Sequence, residues 1–143
     1  MANGVAVERP VDWVALHAAA NRVATHAHAP YSRLRVGAAR LADGDEIVVA
    51  CNVENASCGL ILCAECELVC SLVAGAHGSL HAVSVTTGDG QPLAPCGRCR
   101  QVLLEHGGGG ILVDAGAGRD PVALAAMLPD AFDTEEFASR RTP

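Results

Sequence analysis

This chain has to build its core almost without rings. Half of its 143 residues are hydrophobic but only 3% are aromatic, so Ala, Val and Leu must fill the interior. Side chains that small let secondary-structure elements approach one another closely. The length suits one real core, and a single domain over residues 1–143 is the expectation.

Charge narrows the range of partners. The formal net charge is −6 with a pI near 5.4, and the ten Lys and Arg are scattered, so no basic stripe is offered to a polynucleotide. No apolar run reaches the roughly 18 residues that span a bilayer, and the opening MANGVAVERP lacks the basic-then-apolar order of a signal peptide. A cytoplasmic protein without a membrane partner is therefore expected. Seven cysteines in such a chain are an odd set for reducing surroundings, and metal ligation or catalysis explains some of them better than disulfides do.

The pattern along the chain predicts a helix over Val11 to His26, opened near Pro10 and finished before Pro30. Leu34 to Leu41 and Glu46 to Ala50 read as an antiparallel pair joined by Ala42-Asp43-Gly44-Asp45, where Asp-Gly signals a hairpin. A second helix is expected over Cys63 to Ala74, a strand over His81 to Thr86, and a short strand over Pro92 to Ala94. A helix from Gly97 to His106, a strand from Ile111 to Asp114, a last helix around Val122 to Leu128 and a frayed tail after Phe137 complete the reading. Helices placed after strands make this an α/β chain.

The chemistry concentrates in two short motifs. Cys96-Gly97-Arg98-Cys99 lets two thiolates face one tetrahedral ion from the start of a helix, although the same spacing serves redox sites and structural zinc knuckles. Cys63-Ala64-Glu65 lies 33 residues upstream, also at a helix start. A carboxylate two residues after a thiolate can approach a metal's open face without ligating it. Three protein ligands and one open position form the catalytic zinc arrangement, in which bound water ionises near pH 7 and an adjacent Glu can carry its proton to a leaving amine. Zinc-dependent base deaminases use such a set, including a three-cysteine version.

Beyond these motifs, Ala29-Pro30-Tyr31-Ser32, Val36-Gly37-Ala38, Cys51-Asn52-Val53-Glu54-Asn55-Ala56, Pro95 to Gln101 and Leu128-Pro129-Asp130-Ala131-Phe132 follow in one order. From about Tyr31 to Phe132 the chain resembles the small cytidine deaminases of pyrimidine salvage. The resemblance implies a three-layer α/β/α sandwich with a mixed, mainly five-stranded sheet. It also implies one zinc ion per subunit on Cys63, Cys96 and Cys99, and Glu65 protonating N3 and then the leaving amine of cytidine or deoxycytidine. By the same resemblance Asn52 and Glu54 hold the ribose hydroxyls, the Ala64 backbone N–H reads the base, and Ala56 and Phe132 reach into neighbouring sites of a homotetramer. A pocket of this kind rejects free cytosine, because polar groups left without their sugar hydroxyls cost about 1 to 3 kcal/mol each.

Some positions depart from that pattern. Leu34 and Cys58 stand where the family usually carries aromatics, and base stacking on a ring is worth about 1 to 3 kcal/mol. Arg35 replaces a small or neutral residue and could reach a modified sugar, although exposure to solvent is the ordinary outcome for arginine. These positions leave open a modified cytosine nucleoside or a cytosyl nucleoside antibiotic such as blasticidin S as substrate. Cys66 follows Glu65 where the family often has Arg, so Arg98 is expected to supply positive charge to the sulfur ligands. A non-catalytic zinc module with Cys66 as fourth ligand is the distant alternative, and strand editing conflicts with the acidic charge. Otherwise Cys51, Cys58, Cys66 and Cys70 read as core or pocket lining, and the six His carry no chemistry.

Overall fold

A computed structural model describes residues 10–142. Helix α1, Trp13–Ala24, begins where the Asp12 side chain accepts the Ala15 N–H at 2.9 Å, an N-cap that satisfies one of the helix's free donors. Strands β1, Val36–Ala42, and β2, Ile47–Cys51, form the expected antiparallel hairpin. Gly44 turns it at φ 79°, a conformation glycine adopts without steric cost. Helix α2, Ala64–Ala74, strand β3, Leu80–Thr87, helix α3, Gly97–Gly107, and strand β4, Leu112–Val113, follow the predicted order.

With Val122–Ala123 as β5, five strands lie in the order β2-β1-β3-β4-β5, with β3 and β4 parallel and the other pairs antiparallel. Alternation along the strands builds two layers of core. Val36, Ala38 and Ala42 of β1 and Val83 and Val85 of β3 face α2 and α3, where they meet Leu68, Leu72 and Leu103. Ala39 and Ala82 face the other way, against Leu16, Ala19 and Ala20 of α1. The result is the expected α/β/α sandwich with a mixed five-stranded sheet.

The C-terminal third corrects three sequence expectations. Pro92 to Ala94 forms no strand, only a bridge between Thr86 and Pro92, since a proline has no N–H for a ladder. Val122–Ala123 is strand β5 rather than the start of a helix, because it pairs with the open edge of β4, and helix α4 shrinks to Leu124–Met127. The tail carries helix α5, Thr134–Ser139, capped where the Asp133 carboxylate accepts the Glu136 N–H at 2.8 Å. Among the described residues no helix is long and apolar enough to cross a membrane.

Candidate active site

Cys63 is the N-cap of α2 and Cys96 the N-cap of α3, and the two helices pack side by side. Their starts therefore converge on one point below the sheet. Helix N-termini expose backbone N–H groups and positive dipole ends, which favour thiolate over thiol. The sulfurs of Cys63, Cys96 and Cys99 all lie within 4.8 Å of one another, with 3.4 Å between Cys96 and Cys99. Tetrahedral zinc with Zn–S bonds of about 2.3 Å sets its ligand sulfurs about 3.8 Å apart, so the spacing fits the ion.

The protonation chemistry of the cluster agrees. Burial pushes the Cys99 thiol far up, and the Glu65 carboxylate and neighbouring sulfurs push it further. Cys63 is raised as well, first by burial. Burial also acts upward on Cys96, but the Cys99 backbone N–H and the neighbouring thiols outweigh it and hold Cys96 below its ordinary value. Three sulfurs this close cannot all ionise without a cation between them, and a divalent ion supplies that charge.

Glu65 is only 4% exposed, in the first turn of α2. Burial raises its carboxyl above the ordinary carboxylate range, while its own backbone N–H and the Cys99 thiol pull the other way. Neither Glu65 nor Cys66 belongs to the cluster of ligand atoms. The carboxyl therefore stands beside the sulfurs without joining them, and the reading of Cys66 as fourth ligand loses its support.

The loops around the cluster are braced from α3. Arg100 donates from Nε to the Pro95 carbonyl and from Nη1 to the Met127 carbonyl, both at 2.7 Å, which fixes the approach to Cys96. Gln101 donates to the Phe132 carbonyl at 2.7 Å. Phe132 remains 54% exposed, with its ring edge-on to Phe137. Arg98 is exposed and donates from Nη1 to the Ile61 carbonyl at 3.4 Å, on the segment leading to Cys63. Arg35 likewise turns to backbone, donating to the Thr25 carbonyl at the end of α1.

The segment 52–54 runs beside Leu62, paired through Val53, and so lies next to the cluster. Asn52 and Glu54 are buried, and both bind the 31–36 loop: Asn52 donates to the Leu34 carbonyl and accepts from Val36 N–H, and Glu54 accepts from Tyr31 and Ser32. Ala64 is buried, whereas Leu34, Ala56 and Cys58 are exposed. Of the four cysteines expected as core or pocket lining, Cys66 is buried and Cys51 partly so, whereas Cys58 and Cys70 are exposed and do not belong to the core. His17, His77 and His81 pair with Asp114, Glu46 and Asp43 and tie elements together. Arg40, in the middle of β1, is not singled out by sequence reasoning: it is wholly buried, and among the described residues Nε and both terminal nitrogens have no partner.

Fold and site together define an α/β protein with a three-thiolate metal centre opposed by a buried carboxyl. Residues 13–113 match the cytidine and deoxycytidylate deaminase zinc-binding region. The chain belongs to that family. It is 49% identical to the cytidine deaminase of Mycobacterium tuberculosis over 131 residues, covering 92% of this chain and 97% of the relative. It is 32% identical to the cytidine deaminase of Sporosarcina psychrophila, over 90% of this chain and 96% of the relative. The crystal structure of the M. tuberculosis protein superposes with a TM-score of 0.83 at 51% identity, over 87% of this chain and 99% of that one. That from Mycobacterium leprae gives 0.79 at 41% identity, over 84% and 99%.

Proposed function

We propose that the protein hydrolyses the 4-amino group of cytidine or deoxycytidine, giving uridine or deoxyuridine and ammonia. The observation that carries this reading is the buried Glu65 carboxyl standing beside, but outside, the cluster of three cysteine sulfurs. Cys63, Cys96 and Cys99 hold zinc, which when bound supplies Lewis acidity and a water acidic enough to act as nucleophile near neutral pH.

Glu65 accepts a proton from the attacking water and delivers it to N3 of the base as the C4–O bond forms; it then takes the proton of the new C4 hydroxyl and passes it to N4, which leaves as ammonia when the C4–N4 bond breaks. A carboxyl lifted above its ordinary range by burial is suited to that return transfer, since it holds a proton more readily than an exposed one. The Ala64 backbone N–H, at the first position of α2, faces the base. Asn52 and Glu54 take the sugar hydroxyls, and their burial makes an unpaired sugar position costly.

Leu34 and Cys58 border the base, and Ala56 and Phe132 serve the sites of neighbouring copies in a homotetramer. The exposure of Phe132 and Leu60 on single chains supports that assembly. Seven unpaired thiols suit a reducing compartment, the cytoplasm, and one domain is sufficient for the reaction. Ammonia release from cytidine, deoxycytidine and a cytosyl nucleoside antibiotic tests the reading. Turnover of the first two supports it, and turnover of the antibiotic only would transfer the assignment to a modified nucleoside.

A further inference from the structure

The turn that precedes β1 is imposed on the chain from outside. Arg33 donates its N–H to the Ala29 carbonyl at 3.1 Å and sits at φ 60°, a left-handed conformation that a non-glycine residue holds only when its surroundings enforce it. Those surroundings are two buried polar side chains 16 to 23 residues downstream of the groups they bind. Glu54 accepts the N–H of Tyr31 at 2.9 Å and of Ser32 at 3.2 Å, both on Oε2, and the Ser32 hydroxyl on Oε1. The Ser32 oxygen also accepts the Leu34 N–H at 3.0 Å. Asn52 bridges the Leu34 carbonyl and the Val36 N–H at 2.9 and 2.8 Å.

The hydrogen-bonding capacity of Glu54 is nearly exhausted by these partners. A carboxylate offers about four acceptor positions, two on each oxygen. Oε2 has both filled, so the remaining position lies on Oε1, the oxygen that the Ser32 hydroxyl holds. Ser32 thus touches the one acceptor of Glu54 still open to an incoming hydroxyl.

We infer that Ser32 is a positioning residue for sugar recognition: its hydroxyl, bonded between Glu54 Oε1 and the Leu34 N–H, aims the open acceptor of Glu54 at the sugar and sets Leu34 in the same act. The inference rests on the assignment of Glu54 to a sugar hydroxyl made under the proposed function. Ser32 is also the first of the groups that hold the Glu54 carboxyl below the ordinary carboxylate range, which keeps it a charged acceptor. A charged acceptor with one fixed open position discriminates sharply between a sugar that carries the hydroxyl and one that lacks it.

The test compares wild type, Ser32→Ala and Ser32→Thr on cytidine and on 2′,3′-dideoxycytidine, with KM and kcat measured separately. Ser32→Ala is expected to raise KM for cytidine about tenfold with kcat little changed, and to leave the dideoxy substrate within about twofold of wild type. Ser32→Thr, which keeps the hydroxyl, restores the cytidine KM. If Ser32→Ala lowers kcat/KM equally on both substrates, or on neither, the positioning role is overturned while the Glu54 assignment stands. A wild type that treats the two substrates alike removes the Glu54 assignment and the inference with it. Should Ser32→Ala not fold, Ser32→Cys, of similar size with a weaker donor, answers the same question.

Discussion

Gly37 on β1 lies so close to Ala20 on α1 that a Cβ added to it would stand 1.9 Å from the Ala20 carbonyl oxygen and 2.8 Å from the Ala24 nitrogen. Both obstacles are helix backbone, which has no rotamer to yield. Here the near-absence of rings becomes architecture: α1 rests on the sheet through Ala19, Ala20, Ala24 and Ala39. Gly37→Ala must push the helix outward, and we expect it to lower stability by at least about 3 kcal/mol in urea unfolding. Gly110→Ala, where an added Cβ meets nothing within 4 Å, stays within about 0.5 kcal/mol of wild type.

Metal retention and turnover separate at Glu65. Wild type is expected to hold about one zinc per chain, and Cys99→Ser to lose most of it, since Cys99 is the fully buried member of the set. Glu65→Gln keeps the zinc, being outside the cluster, but loses turnover by about 100-fold or more, the scale of a positioned proton carrier. Metal analysis beside an ammonia assay checks both. Full turnover by Glu65→Gln would sink the assigned mechanism.

The reactive centre was legible because its chemistry is local: two cysteine motifs, each at a helix start, carry their meaning in spacings of two and three residues. The start of the helix at Thr134 is written locally too, in the Asp133 to Glu136 cap, and the helix runs on to Ser139, past Phe137 where the tail is expected to fray. Val122-Ala123-Leu124 was ambiguous, since a short apolar run suits helix or strand and only the open edge of β4 decides. The work of Ser32 depends on Glu54, 22 residues away, and the burial of Arg40 depends on α2 covering its face of β1. Neither relation is written in local pattern.

Stability in acid should depend on the Asp43 turn. The Ser79 N–H first, and His81 second, hold the Asp43 carboxyl below its ordinary value of 3.8. A depressed carboxyl adds stability that is fully present above 3.8 and disappears as pH falls through the lower folded value. Asp43→Asn keeps an acceptor for Ser79 but cannot titrate, so its unfolding midpoint should vary less with pH below 4 than that of wild type. Glu54 and Asp89 are depressed as well, so the flattening is partial. Identical acid profiles for the two proteins would remove Asp43 from the account.

Arg40 sets the opposite problem, a charge whose burial lowers its pKa and whose donors have no partner among the described residues. Glu46 is the charge that acts on it favourably, and the β1–β2 register puts both on the face covered by α2, Arg40 opposite Val48 two residues along the strand. The Glu46 carboxylate, however, is bonded to His77 at 2.5 Å. An unpaired buried guanidinium is costly, and replacing such a charge by an apolar side chain of similar length commonly stabilises by about 1 to 4 kcal/mol. Arg40→Met should therefore raise the thermal midpoint without altering zinc content or cytidine turnover. Glu46→Gln should destabilise wild type more than it destabilises Arg40→Met, because in wild type it also removes the attraction that Glu46 exerts on Arg40. A double-mutant cycle measures the difference; equal effects in the two backgrounds would show that Glu46 serves His77 and leaves Arg40 unassisted.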